Sequence, residues 1–236
     1  MSKEGLRAGE AIKAGWRLAF SDPGAFFLLG FAVLAHGVTI ALGGPAMSGA
    51  ALFAGRKIAG ESSDLGIFYR GFSRGGAPYY ASLILAAMVI LPSGACLVAA
   101  AAIRALCGDI LGWLLAFPFL ALMVVYVLTI KVLHMYVFHE LAGRPDDLWG
   151  AFERSRRLVA EKPIEHLALG AYILGLNLAG FLACCAGLLL TVPLTICTIS
   201  VAHSISAGDV PGGRDVRGDA GGDAEGTGEE EGRERC

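Results

Sequence analysis

Charged residues are scarce in this sequence, and the motifs of the common enzyme classes are missing. Asp, Glu, Lys and Arg make up 17% of its 236 residues, compared with about 25% in soluble globular domains. The sequence has no P-loop, no dinucleotide fingerprint and no HExxH zinc motif, each of which would mark a specific chemistry. We therefore expect no catalytic residue, no cofactor and no metal.

The cysteines show no metal-binding or redox spacing. None of them forms a CxxC pair, and five of the six lie in or beside apolar segments, where a thiol behaves as a small hydrophobic group. Disulfides and metal sites are not expected. The positions are Cys96, Cys107, Cys184, Cys185, Cys197 and Cys236.

Apolar residues dominate the chain instead. Hydrophobic residues account for 55% of the sequence and the mean hydropathy is +0.61. Residues 167–190 contain no charged side chain, and about 20 apolar residues suffice for a helix to cross the hydrocarbon layer. The sequence therefore predicts an all-α, polytopic transmembrane helix bundle as one integral membrane domain, residues 1–207.

We predict about six membrane segments. Four are long, and two are short and begin at a proline. Gly43-Gly44-Pro45 and Thr191-Val192-Pro193 mark the expected breaks, because proline fits best in the first turn of a helix. Pro92 predicts a kink whose freed carbonyl needs a partner. The long segments are 23–42, 79–103, 111–133 and 167–190, and the short ones are 45–59 and 193–207.

Three amphipathic helices are expected at the membrane surface. Residues 1–20 form the first, which we interpret as an interfacial helix and not a signal peptide. A second follows Asp64, with a stripe of Leu65, Phe68 and Phe72. The third carries Leu148, Phe152, Ser155 and Val159 along one face. Residues 208–236 are rich in glycine and acidic residues and predict a disordered tail.

The distribution of basic residues favours six segments over four. With four segments, nine basic residues would face the outside, against the positive-inside rule. With six, all nine share the cytoplasmic side with the basic N-terminal helix, and both termini are cytoplasmic. Two re-entrant hairpins would give the same sidedness. The nine are Arg56, Lys57, Arg70, Arg74, Arg144, Arg154, Arg156, Arg157 and Lys162.

The two halves of the chain also show an internal echo. Each contains a long helix followed by a proline-started one, and Asp64-Leu65 with Phe68 resembles Asp147-Leu148 with Phe152. The order of the elements differs between the halves, so the echo is not a simple tandem repeat.

Several short motifs resemble a group of bacterial membrane proteins. They are Gly44-Pro45 followed by Gly49, the Arg56-Lys57 pair, Asp64-Leu65 with Phe68, Gly71-Phe72, Ala151 with Ser155, and Pro193 with Ala202. Over residues 11–203 the pattern resembles poorly characterised bacterial integral membrane proteins that are similar to the membrane domain of glycerophosphodiester phosphodiesterases. The resemblance implies a multi-pass helical protein without the catalytic domain.

Two sets of residues are candidate sites. A pair of proline-broken segments can mark a transporter's substrate path, although the same positions can serve only for helix packing. The path or packing positions are His36, Pro45, Ser48, Asn177, Thr191 and Pro193. Basic surface helices can also contact anionic lipid headgroups, and the candidates are Arg70, Arg74, Arg154 and Arg157.

The leading functional hypothesis is a non-enzymatic multi-pass protein of the bacterial inner membrane, which organises the envelope or acts as a scaffold for membrane partners. Its partners would be the lipid bilayer with its anionic headgroups, another membrane protein or a second copy of the chain, and no nucleic acid. A small-solute transporter or channel, with a path between the helices at Pro45 and Pro193, is the alternative. A membrane-embedded lipid enzyme is the third.

Overall fold

The computed structural model describes residues 7–37, 39–62, 64–73, 75–183 and 187–208. These residues form helices and no strand, which confirms the all-α prediction. The predicted tail, apart from Gly208, and Arg74 lie outside the described residues. The helices are α1 (Ala8–Ser21), α2 (Pro23–Gly37), α3 (Ile40–Ile58), α4 (Leu65–Ser73), α5 (Ala77–Cys107), α6 (Asp109–Leu133), α7 (Val137–Gly143), α8 (Leu148–Glu161), α9 (Pro163–Leu182) and α10 (Leu188–Ala207).

Several of these helices are long and apolar enough to cross a membrane. Four spans qualify among the described residues, and a fifth is added if α1 and α2, which meet at a bend of 102°, count as one span. The remaining helix of the predicted six, α3, contains several glycines and ends in Arg56 and Lys57, which lowers its hydropathy. The four spans are Ala77–Cys107, Ile110–Gly143, Pro163–Leu182 and Leu188–Ala207.

The bundle consists of three helical hairpins, α2–α3, α5–α6 and α9–α10. Neighbouring hairpins meet at α2 and α10, at α3 and α5, and at α6 and α9, so six helices form a closed ring. A glycine lies at each junction: Gly30 against Pro193, Gly44 against the carbonyl of Pro78, and Gly170 against Val132. The missing side chains let the hairpins approach closely.

The three amphipathic helices pack on the second helix of a hairpin, and each does so through a small residue. A Cβ on Gly15 of α1 would lie 2.7 Å from Cα of Thr198 in α10, and one on Gly71 of α4 would lie 2.5 Å from the backbone nitrogen of Gly49 in α3. Ser155 of α8 donates a 2.9 Å hydrogen bond to the carbonyl of Leu133 at the end of α6. Their apolar stripes, which were expected to face the membrane surface, therefore contact protein.

This arrangement explains the internal echo. Elements α1–α2 and α8–α9 correspond at a spacing of 140 positions, from Ala8 to Leu148, Pro23 to Pro163 and Gly30 to Gly170. The connecting residues share one conformation, with φ −147° and ψ 72° at Asp22 and φ −143° and ψ 68° at Lys162. Each of these two units consists of an amphipathic helix followed by a hairpin. The helix α1 precedes the first hairpin in the chain but packs on α10 of the last one, so it connects the two ends of the chain in the ring.

The predicted breaks at Pro45 and Pro193 are wrong. Helix α3 begins at Ile40 and α10 at Leu188, so each proline lies at the sixth position of a continuous helix. A proline is tolerated there when the carbonyl four residues earlier finds another partner. For Pro45 that carbonyl is Ala41 O, which accepts a 3.3 Å hydrogen bond from Ser82 Oγ of α5.

The glycines beside those prolines also have a different role from the one predicted. Gly44 is a packing site against α5, not a helix terminator, because any side chain there would collide with Pro78. The chain turns between α9 and α10 instead near Gly187, where a Cβ would lie 2.6 Å from the carbonyl of Gly180. The first two predicted segments, 23–42 and 45–59, thus become Pro23–Gly37 and Ile40–Ile58.

The backbone carbonyl that Pro92 leaves without a helical hydrogen bond has a partner, as expected. Pro92 lies inside α5 and frees the carbonyl of Met88, and Tyr126 Oη of α6 donates a 2.8 Å hydrogen bond to it. Three aspartates also cap helices. Asp22, Asp64 and Asp147 each accept a hydrogen bond from a backbone N–H three residues later.

Candidate functional site

The ring of hairpins surrounds a central cavity of about 760 Å³. Residues from α2, α3, α5, α6, α7, α9 and α10 line it, and most of them are aliphatic. Its volume lies within the usual range for ligand sites, about 300 to 1,000 Å³. We call this space the central cavity.

The polar groups of the central cavity are few. Lys131, His134, Ser82 and Asn177 contribute to the lining. Asn177 is held in place by hydrogen bonds, since its Nδ2 donates to the carbonyl of Ile173 and to Thr195 Oγ1, both at 2.9 Å. Lys131 is the one lining residue with a permanent charge among those described.

Lys131 lies in the last turn of α6, near the end of the predicted segment 111–133. A turn at residues 134–136 separates α6 from α7. The next residue, Val132, packs close to Gly170 of α9. Within the described part of the chain, no carboxylate forms an ion pair with Lys131. A lysine at the end of an apolar helix can reach the headgroup region with its ammonium.

His134 is another polar residue in the lining of the central cavity. Its side chain is buried at the junction of α6 and α7, where its Nδ1 lies 3.1 Å from the carbonyl of Ile130. Its ring meets Phe152 of α8 edge-on, with the ring centroids 5.2 Å apart. The backbone and Phe152 therefore fix the ring beside Lys131.

A second polar group, the polar cluster, lies around α7. It consists of His139, Glu140, Asp147, Arg154, Ser200 and His203. The two oxygens of Glu140 take different donors: Arg154 Nε binds Oε2, and His203 Nε2 lies 2.9 Å from Oε1. Arg154 also donates a 2.6 Å hydrogen bond to Asp147. The cluster ties α7, α8 and α10 together.

The outermost member of the polar cluster is an exposed carboxylate. The hydrogen bond from Arg154, and then the one from the backbone N–H of Gly150, lower the pKa of Asp147 from its usual 3.8. Asp147 thus combines two roles, as the N-cap of α8 and as an anchor for the Arg154 guanidinium. The carboxylate remains ionised at neutral pH.

His139 and Ser200 border a smaller cavity of about 230 Å³ between α3, α7 and α10. His139 Nε2 and Ser200 Oγ share a 2.8 Å hydrogen bond, the spacing of a base and a nucleophile. His139 Nδ1 is buried and has no hydrogen-bond partner among the described residues. The pair therefore lacks the third group that orients the imidazole in a catalytic triad.

The structure separates the predicted path residues. Asn177 lines the central cavity, and Thr191 Oγ1 donates to it across 3.4 Å. His36 lies elsewhere, among the rings of Phe68, Tyr69 and Phe72, and Ser48 is fully buried. Of the four polar candidates, only Asn177 contributes to the lining. Pro45 and Pro193 are buried packing residues.

The arginines that were predicted to contact lipid headgroups lie in different environments. Arg70 is exposed on α4, and Arg157 forms a 2.9 Å ion pair with Glu153 on the surface of α8. Arg154 points into the polar cluster, where 26% of its side chain is exposed. It is thus held by Glu140 and Asp147 and is not free for a lipid.

Sequence reasoning missed the Glu140–His203 pair and the role of Lys131. The pair joins residues 63 positions apart, and nothing in the local pattern of either helix marks it. The position of Lys131 at the end of its helix was predicted, but its place in the lining of the central cavity was not.

No group of three or more His, Cys, Asp or Glu in the described part of the chain could hold a metal ion. Comparison of the chain with protein-family models, with curated proteins and with solved structures found no match.

Proposed function

We propose that this chain is a non-enzymatic, multi-pass protein of the bacterial inner membrane that holds a membrane lipid in its central cavity and serves as a scaffold in the envelope. The observation that supports this proposal is the central cavity itself, which lies between the helices of the three hairpins and is lined mostly by aliphatic side chains. The space suits the hydrocarbon chain of a lipid.

The lining of the central cavity argues for an apolar occupant. Most of the residues that line it are aliphatic, and its volume of about 760 Å³ leaves room for a hydrocarbon chain. Acyl chains are abundant in a bilayer, and their contact with the aliphatic wall is favourable.

The transporter alternative predicts a common polar path. Only Asn177 of its polar candidates lines the central cavity, and its amide is already bonded to Thr195. The lipid enzyme needs a nucleophile with an oriented base, and His139 lacks the orienting partner within the described residues. Lipid binding without chemistry is the function that this geometry supports best.

Native mass spectrometry of the chain, extracted in a mild detergent, tests the proposal. We expect retained lipid in the wild type and a several-fold lower bound fraction in Ala86→Phe, because Ala86 lines the central cavity. Ala87→Phe is the matched control, since Ala87 is the exposed neighbour on the same helix. Equal lipid retention in both variants, or no lipid in the wild type, would contradict the proposal.

The proposed sidedness follows from the ends of the helices. The end of α3 is bound to the start of α2 by the 2.7 Å pair of Lys57 and Asp22, and the end of α10 is bound to α7 through His203. The predicted basic connections belong to this face, which supports a cytoplasmic location for it and for both termini. In spheroplasts, an impermeant thiol reagent should label Cys107, exposed at the α5–α6 turn, but not a cysteine replacing Arg156.

A further inference from the structure

We infer that the lipid in the central cavity is an anionic phospholipid whose phosphate group is bound by Lys131. This inference rests on the proposed lipid-binding function and specifies the headgroup. It starts from Lys131, the one lysine or arginine among the lining residues, most of which are aliphatic.

The first step concerns the electrostatics of Lys131. Lys131 lies in the last turn of α6 and lines the central cavity. The described residues provide no carboxylate for Lys131, and the carboxylate of Glu140 binds Arg154 and His203. Basic side chains near the membrane surface attract anionic lipids. An anionic group on the ligand is therefore a suitable partner for the ammonium.

The second step concerns the distribution of polarity along the central cavity. Lys131 and His134 lie three residues apart at the end of α6, and both line the central cavity. The other helices contribute mainly aliphatic residues such as Val33, Ile40, Leu85 and Val89, together with the uncharged polar residues Ser82 and Asn177. A ligand that complements this wall has a compact anionic group at one end and a hydrocarbon chain at the other, which is the chemistry of a phospholipid.

The third step concerns the kind of headgroup. A phosphatidylglycerol carries a net negative charge, while the ammonium of a phosphatidylethanolamine neutralises its phosphate and would face Lys131 as a like charge. A basic residue near an anionic lipid contributes about 1 kcal/mol, which corresponds to about a five-fold preference. The central cavity should therefore select anionic over zwitterionic lipids of the same chain length.

Competition in native mass spectrometry tests this inference. The full chain is offered equal amounts of phosphatidylglycerol and phosphatidylethanolamine with identical acyl chains. We expect about a five-fold preference for phosphatidylglycerol in the wild type, a ratio near one for Lys131→Gln, and a retained preference for Lys131→Arg. Lys162→Gln is the matched control, since Lys162 precedes α9 and lies outside the central cavity.

The outcomes separate the two proposals. Lipid bound without headgroup preference in the wild type, or a preference that Lys131→Gln leaves intact, overturns the anionic assignment but keeps lipid binding. Absence of any retained lipid overturns the proposed function itself. A rise in melting temperature with inorganic phosphate alone, dependent on Lys131 and without bound lipid, would assign the site to a free anion and also overturn the inference.

Discussion

The hydroxyl of Tyr126 donates a 2.8 Å hydrogen bond to the carbonyl of Met88, the carbonyl that Pro92 deprives of its helical partner. The contact joins the two arms of the α5–α6 hairpin. It lets α5 keep a proline in its interior without an unsatisfied polar group in a membrane span. One side chain thus links the internal proline of one helix to the packing of another.

Replacing Tyr126 with Phe should destabilise the hairpin. The substitution removes the donor and leaves the Met88 carbonyl unpaired, at a cost of about 1 kcal/mol. In a Pro92→Ala background the restored N–H would satisfy that carbonyl, so the same substitution should be nearly neutral. A double-mutant cycle in denaturant unfolding measures the coupling. Additive effects would mean that Tyr126 does not act through the freed carbonyl.

The contact between α1 and α10 predicts different effects at two glycines of one helix. Gly15→Ala should cost about 2 kcal/mol, because its Cβ would lie 2.7 Å from the Thr198 backbone. Gly9→Ala should be neutral or slightly stabilising, since nothing lies within 4 Å of its Cβ. Thermal unfolding in detergent compares the two variants. Equal melting temperatures would show that α1 does not pack on α10 as described.

The polar cluster should depend strongly on Glu140. Glu140→Gln removes the charge that Arg154 and His203 share and should lower the free energy of unfolding by about 3 kcal/mol, as expected when a buried ion pair loses one member. Glu153→Gln on the exposed face of α8 is the control and should change it by less than about 0.5 kcal/mol. A similar loss in both variants would mean that the cost comes from removing a carboxylate in general and not from breaking the polar cluster.

The pKa of Asp147 predicts a specific acid sensitivity. Hydrogen bonds from Arg154 and from Gly150 lower this pKa below 3.8 in the folded chain. The stabilisation is therefore fully present above the unfolded pKa and is lost as the pH falls through the folded pKa. Asp147→Asn should flatten the decline in melting temperature below about pH 4. An unchanged slope would show that Asp147 is not the group that titrates.

Much of the helix inventory could be predicted from the chain alone, and the misplaced boundaries have a common cause. The stripe of Phe152, Ser155 and Val159 is buried as expected, and Pro23 begins α2 next to the capping Asp22. At Pro45 the prediction failed because the helix continues only with the help of Ser82 from another helix. A local pattern has no access to that hydrogen bond.

The sequence by itself determined the class of protein, because long uncharged runs can satisfy their backbone only as helices in a membrane, and aspartates and prolines start helices by local chemistry. Only the tertiary structure decided that three hairpins close into a ring, that Lys131 faces the central cavity, and that Glu140 meets His203. Helices such as α6 are apolar on all sides, so no stripe indicates which face turns inward. That choice is made by the close approach of neighbours at residues such as Gly170 and Gly44.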